Sequence, residues 1–255
     1  MPMVYDLQKA SLWKRVAAWM FDAILVGVLA VGIGFLLSVL FGYDGYSQTV
    51  ENAYSHYEAE YGITFDISQE AYETMSEQQR IDYETAYEAL LKDEEAMYAY
   101  NMMLNLSLMI TSLGIFVAIL LWEFVFPLFF GNGQTLGKKI FGLCLMRVDG
   151  VKVNNVQLFA RALLGRYAIE VMIPVAILLM LFWGTVGLFG TLFLLGLLIV
   201  QVVCMLVTRT NSAIHDLLAG TVVVDMASQM IFNSTEELIE FKKKVAAEQA
   251  MRQTY

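Results

Sequence analysis

From Val16 to Phe41 the chain carries one ionisable side chain, Asp22, in an otherwise apolar run. About 20 predominantly apolar residues suffice to cross the hydrocarbon core, so this stretch reads as a membrane-spanning helix. An aspartate inside it costs roughly 2.5–3.5 kcal/mol to insert on translocon scales, and it therefore faces protein or water rather than lipid. Arg15 lies two turns earlier on the same face, with its backbone about 10 Å away at the helical rise of about 1.5 Å per residue. Helical side chains lean toward the N-terminus, which carries the Arg15 head away from Asp22. The partner of Asp22 is therefore expected on another helix, and Arg161 and Arg166 are the candidates.

The rest of the chain extends the pattern. It is 58% hydrophobic and only 16% charged, an apolar load that excludes an ordinary soluble domain. Four windows are long and apolar enough to span: 16–41, 104–130, 160–182 and 186–207. In the third, the uncharged run is short. Either its helix starts among Arg161, Arg166 and Glu170, or part of it lies in the interface. The fold expected is an all-α polytopic membrane protein of about four transmembrane helices. Its segments are a leading piece (1–15), a first span (16–41), an insertion (42–103), a second span (104–130), a Gly/Lys loop with a β-hairpin (131–157), a third and fourth span (158–207), and a strand with a terminal helix (208–255). The first apolar run is too long for a cleavable signal and is not followed by a small-x-small site before Tyr43, so it reads as a signal anchor.

Orientation follows from Lys and Arg. Three of the sixteen fall before the first span, six in the segment after the second span that runs into the start of the third, and five after the fourth; only Arg80 and Lys92 fall between the first and second. The positive-inside rule puts both termini in the cytoplasm and residues 42–103 outside, as in a bacterial plasma membrane protein. That outer segment is acidic and rich in tyrosine. Asp66–Ser68 and Ser76, with Gln79 three residues on, look like helix starts, the second a capping box. Helical spacing of Tyr83, Tyr87, Leu90, Leu91 and Met97 suggests one helix from about Ser76 straight into the second span. The segment reads as a solvated helical hairpin with a small tyrosine core, or as a docking surface for an outer or membrane partner protein. Cys144 and Cys204 form no disulfide framework. With His56 and His215 the only histidines, no metal site is expected, and no cofactor-binding loop or nucleic-acid-binding patch stands out.

After the second span, Gly131-Asn-Gly-Gln-Thr-Leu-Gly-Lys-Lys139 has the look of a phosphate loop but fails the Walker pattern at Asn132 and at Lys139. Leu143–Val148 and Val151–Val153 read as a hairpin with a type I′ turn at Asp149-Gly150, and Thr221–Asp225 as a strand able to pair with it. At the C-terminal end, Ser234 and Glu237 form a capping box. Leu238, Phe241 and Val245 mark one face beside Lys242–Lys244, fitting a helix on anionic headgroups or a soluble helix.

Three pieces of the chain resemble the RDD family of membrane proteins, named for one Arg and two Asp. They are Arg15-Val-Ala-Ala-Trp-Met-Phe-Asp22; Gly133-Gln-Thr-Leu-Gly-Lys138 with Phe141–Gly150, Arg161 and Arg166; and His215-Asp216-Leu-Leu-Ala-Gly-Thr221. The resemblance makes Arg15, Asp22 and Asp216 the name-giving residues and Gly133, Thr135, Gly137 and Lys138 its loop positions. The insertion departs from the compact family pattern. The resemblance implies a fold more than an activity, with transport of ions or small solutes the usual suggestion.

Depth arithmetic places Asp22, Glu123, Arg166, Glu170 and Gln201 in one layer of the cytoplasmic third of the bilayer, with Arg15, Arg161 and Asp216 just below. Such a layer is either a polar pocket for a cation or protons, or a set of buried ion pairs that fixes helix register. Beyond Asp22 the first span offers only Ser38, and the third nothing polar after Glu170, which argues against a simple pore: either a path forms at an oligomer interface or the protein does not conduct. Ala23/Gly27 and Ala30/Gly34 permit close helix packing within a subunit or in a homo-oligomer in the lipid bilayer. Two functions stand against each other: a carrier of cations, protons or small solutes, and a non-catalytic scaffold or regulator. An enzyme is not expected, because no nucleophile–base pair is present.

Overall fold

A computed structural model describes residues 6–182 and 184–253. Four of its helices are long and apolar enough to cross a membrane: α1 (Leu12–Leu40), α5 (Glu94–Phe130), α7 (Asn155–Phe182) and α8 (Gly187–Val207). The others are α2 (Tyr43–Tyr61), α3 (Gln69–Glu73), α4 (Glu77–Lys92), α6 (Leu136–Ile140), α9 (Ile214–Ala219) and α10 (Thr235–Gln253), with strands β1 (Leu143–Arg147) and β2 (Thr221–Asp225). The chain is thus an all-α membrane-type fold with one small sheet. It divides into two compact units, one of residues up to Ala30 and from Ile115 onward, the other Val31–Gly114.

In the first unit, α1 buries only Arg15, Ala18 and Asp22. Their i, i+3, i+7 spacing is one helical stripe. The third window resolves into a full-length helix, because α7 begins well before Arg161 at Asn154, whose side chain and that of Gln157 form a capping box. Two segments depart from α-helical winding: Leu121–Val125 in α5 and Arg161–Met172 in α7 both take the wider π form. Each is followed at its end by a proline, Pro127 and Pro174. Proline has no N–H to donate, and its ring crowds the carbonyl four residues back, here that of Glu123 and of Glu170. The hydrogen-bond span longer by one residue (i→i+5) relieves that crowding and turns side chains out of regular helical register.

The sheet pairs β1 and β2 antiparallel, with Leu143 opposite Asp225 and Leu145 opposite Val223. Both faces are covered. Leu143, Leu145 and Val223 pack with Ala18, Val153 and Leu158, and Cys144, Met146, Val222 and Val224 form a second cluster with Leu7 and Ile231. This explains why both strands are near-continuously apolar rather than alternating. Burial pushes the Cys144 thiol up to about 12. The turn after β1 differs from the type I′ expectation. Asp149 keeps a negative φ and only Gly150 is left-handed, at +94°, while Gly150 N–H donates to the Arg147 carbonyl at 3.0 Å. That is a type I turn closed by a glycine bulge, and Val151–Val153 contributes only bridges to Met146 and Phe232 rather than a strand. In α10, Leu238 is buried with Val151 and Phe232, and Phe241 packs beside them. Those two residues of the apolar face rest on protein, not on headgroups.

The second unit holds the acidic insertion. Its helices α2 and α4 pack together through aromatic edges, Tyr54 on Phe65 and Phe65 and Tyr72 on Tyr83. The capping box at Ser76 and Gln79 forms. The expected unbroken helix into the second span does not. Asp93 takes an extended conformation (ψ 105°) and ends α4. Its Oδ1 then accepts from Glu95 and Ala96 N–H, both at 3.0 Å, starting α5.

Candidate functional site

The loop between α5 and α6 is shaped by three successive left-handed residues, Gly131 (φ 73°), Asn132 (φ 45°) and Gly133 (φ 60°). It is tied to β1, since Gln134 Nε2 donates to the Leu143 carbonyl at 2.7 Å and Leu145 N–H to that of Asn132 at 2.9 Å. A Cβ on Gly133 would sit 2.9 Å from Leu145, so only glycine fits.

What this loop holds is Asp22. Its carboxylate accepts from Thr135 Oγ1 at 2.5 Å, from Gly137 N–H at 2.9 Å and from Trp122 Nε1 at 2.9 Å. A Cβ on Gly137 would lie 2.5 Å from the Ala18 carbonyl and 2.8 Å from the Asp22 carboxyl carbon. The phosphate-like loop therefore cradles an internal carboxylate. The expectation that Arg161 or Arg166 pairs with Asp22 is corrected: both arginines bind other acids, and three neutral donors occupy Asp22.

The remaining charged residues form a closed ring. Arg161 reaches Glu123 Oε2 at 2.8 Å and Asp216 Oδ1 at 3.1 Å. His215 Nε2 faces Asp216 at 3.5 Å, and its Nδ1 meets Glu170 at 2.6 Å. Arg166 joins Glu170 at 3.1 Å and returns to Glu123 at 3.8 Å. Outside the ring, Arg15 binds Asp216 at 2.9 Å and donates to the Asn211 carbonyl. Lys138 reaches Glu123 at 3.4 Å and Thr135 Oγ1 at 3.1 Å. Gln201 Nε2 donates to Glu170 at 3.2 Å, while its Oε1 accepts from Ile214 N–H at 3.2 Å. Four carboxylates (Asp22, Glu123, Glu170, Asp216) thus stand with four basic groups (Arg15, Lys138, Arg161, Arg166), and His215 lies between Glu170 and Asp216. Burial alone would raise the Asp216 carboxyl, but His215, Arg161 and Arg15 hold it well below the usual carboxylate range. Burial lowers the Lys138 ammonium, against the pull of Glu123.

All twelve sequence-derived candidates gather here, but Gly133 acts only through the loop backbone. Sequence reasoning missed three members. His215 lies within the third family-like piece and was weighed as a metal ligand, but was given no place in the polar layer, although it directly precedes Asp216. Trp122 directly precedes Glu123. Gly165 allows α7 to touch α9, since a Cβ there would run into the Cα and Cβ of His215. The recurring Glu-x-x-x-Pro of Glu123–Pro127 and Glu170–Pro174 was the legible signal for the two π segments.

Above the ring lies a cavity of about 740 Å³. Ring residues form its floor, with Trp19 beside Arg166 at 5.7 Å. Ala23, Val26, Gly27 and Ala30 of α1, Ile115 and Ile119 of α5, and Leu194, Leu198 and Val202 of α8 form apolar walls. Its size lies within the range of about 300–1,000 Å³ usual for small-ligand sites.

Residues 9–220 match the profile of the RDD family. The chain belongs to the RDD family. No curated protein and no solved structure matches it. The arginine and two aspartates of this RDD protein are divided between two tasks. Arg15 and Asp216 pair directly and fasten the start of α1 to α9, while Asp22 fastens the same helix, two turns on, to the loop before α6. The insertion falls inside the matched region, and the family match stops short of α10.

Proposed function

We propose that this RDD protein is a solute-binding membrane protein of the carrier type, taking a small amphiphile into the cavity enclosed by α1, α5, α7 and α8. The observation that carries the reading is the cavity's division into apolar walls and a charged floor. Such a site rewards a ligand with an apolar body and a polar head. A cation is a poorer fit, because every carboxylate at the floor already has cationic or N–H donors, and an entering ion must displace one of them. In this reading both termini, the sheet and the ring are cytoplasmic, as the distribution of Lys and Arg supports. The acidic insertion is external, and the role is non-catalytic.

The test uses the cavity wall. Gly27 lines the cavity and a Cβ there meets nothing within 4 Å, so Gly27→Phe puts a bulky ring at the cavity wall. In nanodiscs, brominated single-chain amphiphiles should quench the emission of Trp19, and Gly27→Phe should abolish most of that quenching. Quenching equal in both proteins would overturn the cavity as the binding site.

A further inference from the structure

Arg161 divides its guanidinium between Glu123 at 2.8 Å and Asp216 at 3.1 Å, and Arg15 gives its own to Asp216 at 2.9 Å and to the Asn211 carbonyl. Asp22, Glu123, Glu170 and Asp216 all have donors already.

An anion at the floor fits at Arg166. This arginine lines the cavity, and its guanidinium makes one hydrogen bond, to Glu170 at 3.1 Å. Its contact with Glu123 is longer, 3.8 Å. A guanidinium carries five N–H donors, so most of the fork is free to receive an oxyanion. The face of Trp19, 5.7 Å away, borders the same spot and leads to the apolar wall. We propose that the amphiphile bound in this cavity has an acidic head, received by Arg166 beside Trp19, with its chain lying along Ala23–Ala30. The inference rests on the cavity reading above and names its ligand class. Eight residues of α1, at about 1.5 Å each, give the chain about 12 Å of wall.

The experiment compares two probes of equal chain length, 9,10-dibromooctadecanoate and 9,10-dibromooctadecanol, in nanodiscs of zwitterionic lipid at neutral pH. The signal is the part of the quenching that Trp19→Phe removes. The acid should reach half-quenching at a concentration at least about ten-fold below the alcohol, the size expected of charge-assisted hydrogen bonds. Arg166→Gln should bring the two together. Equal quenching by the two probes in the unmodified protein would overturn the acidic head, whatever the variants do. Because Gly27→Phe tests the cavity with both probes alike, the outcomes separate. If it removes both signals while acid and alcohol remain equal, only the present inference fails; if it removes neither, the cavity reading fails.

Discussion

Replacing Asp22 by Asn separates the two ways in which this residue can be held. The carboxylate accepts three hydrogen bonds, from Thr135, Gly137 and Trp122, and each bond to a charged group is worth about 1.5–3 kcal/mol. Asparagine keeps one oxygen, which can still accept from Gly137 and Trp122, but as weaker neutral bonds. Its amide N–H₂ then meets Thr135 Oγ1, whose oxygen already accepts from Lys138 N at 3.4 Å and Nζ at 3.1 Å. One bond is lost and two are weakened, a cost of about 3–5 kcal/mol. Thr135→Val alone should cost about 1–3 kcal/mol. The double variant should fall short of the sum by about 1–2 kcal/mol, because the two substitutions remove the same bond. Reversible unfolding by SDS in mixed micelles, followed by circular dichroism, measures all four corners of the cycle. The same cycle run with Arg161→Gln should show less coupling than with Thr135→Val. A larger coupling to Arg161 or Arg166 would refute the loop cradle and restore an ion pair.

Three other outcomes follow from the same geometry. The Asp216 carboxyl is held below its usual range by His215, Arg161 and Arg15 against the opposing effect of burial. Its contribution should be complete above about pH 4 and fade as pH falls below that, with unfolding midpoints from pH 3 to 7 as the measurement; a loss centred near pH 6 that Asp216→Asn removes would contradict this. Gly165→Ala drives a methyl into the backbone of His215 and should destabilise by about 1–3 kcal/mol or prevent assembly altogether, whereas Gly27→Ala should stay within about 1 kcal/mol of the parent. For sidedness, cysteines at Ser55 and Val156, both exposed, should differ toward an impermeant thiol reagent in whole cells, Ser55 reacting and Val156 protected. Cys204→Ser removes the accessible native thiol, and buried Cys144 stays inert. The reverse pattern would invert the topology.

Spans and polar layer were legible because their signals are one-dimensional. Hydropathy finds a helix that must cross lipid, and counting residues from its end gives the depth of Glu123 or Gln201 without knowing any contact. Partnership is three-dimensional, and there the reading failed. A lone membrane carboxylate suggests an arginine, yet Asp22 is satisfied by a backbone N–H, a hydroxyl and an indole, donors that carry no charge to count. The loop that supplies two of them was visible as glycines and a threonine, but its resemblance to a phosphate loop pointed toward an external anion. Asp93 shows a different gap. Apolar spacing from Tyr83 to Met97 is helical throughout, and only the Asp-Glu-Glu run at 93–95 marks the cap that interrupts it. At Asp149-Gly150 the dipeptide fits two turn types, and the short reach of Val151–Val153 favours the bulged one.

The central claim, that the cavity above the ring holds an acidic amphiphile, is tested most directly by a density map of the full chain in lipid nanodiscs supplied with octadecanoate. The account expects one elongated feature along Ala23–Ala30, ending within hydrogen-bonding distance of the Arg166 guanidinium and touching Trp19. A cavity closed by inward packing of α1 and α8, or filled only by chains whose heads lie away from Arg166, would contradict it.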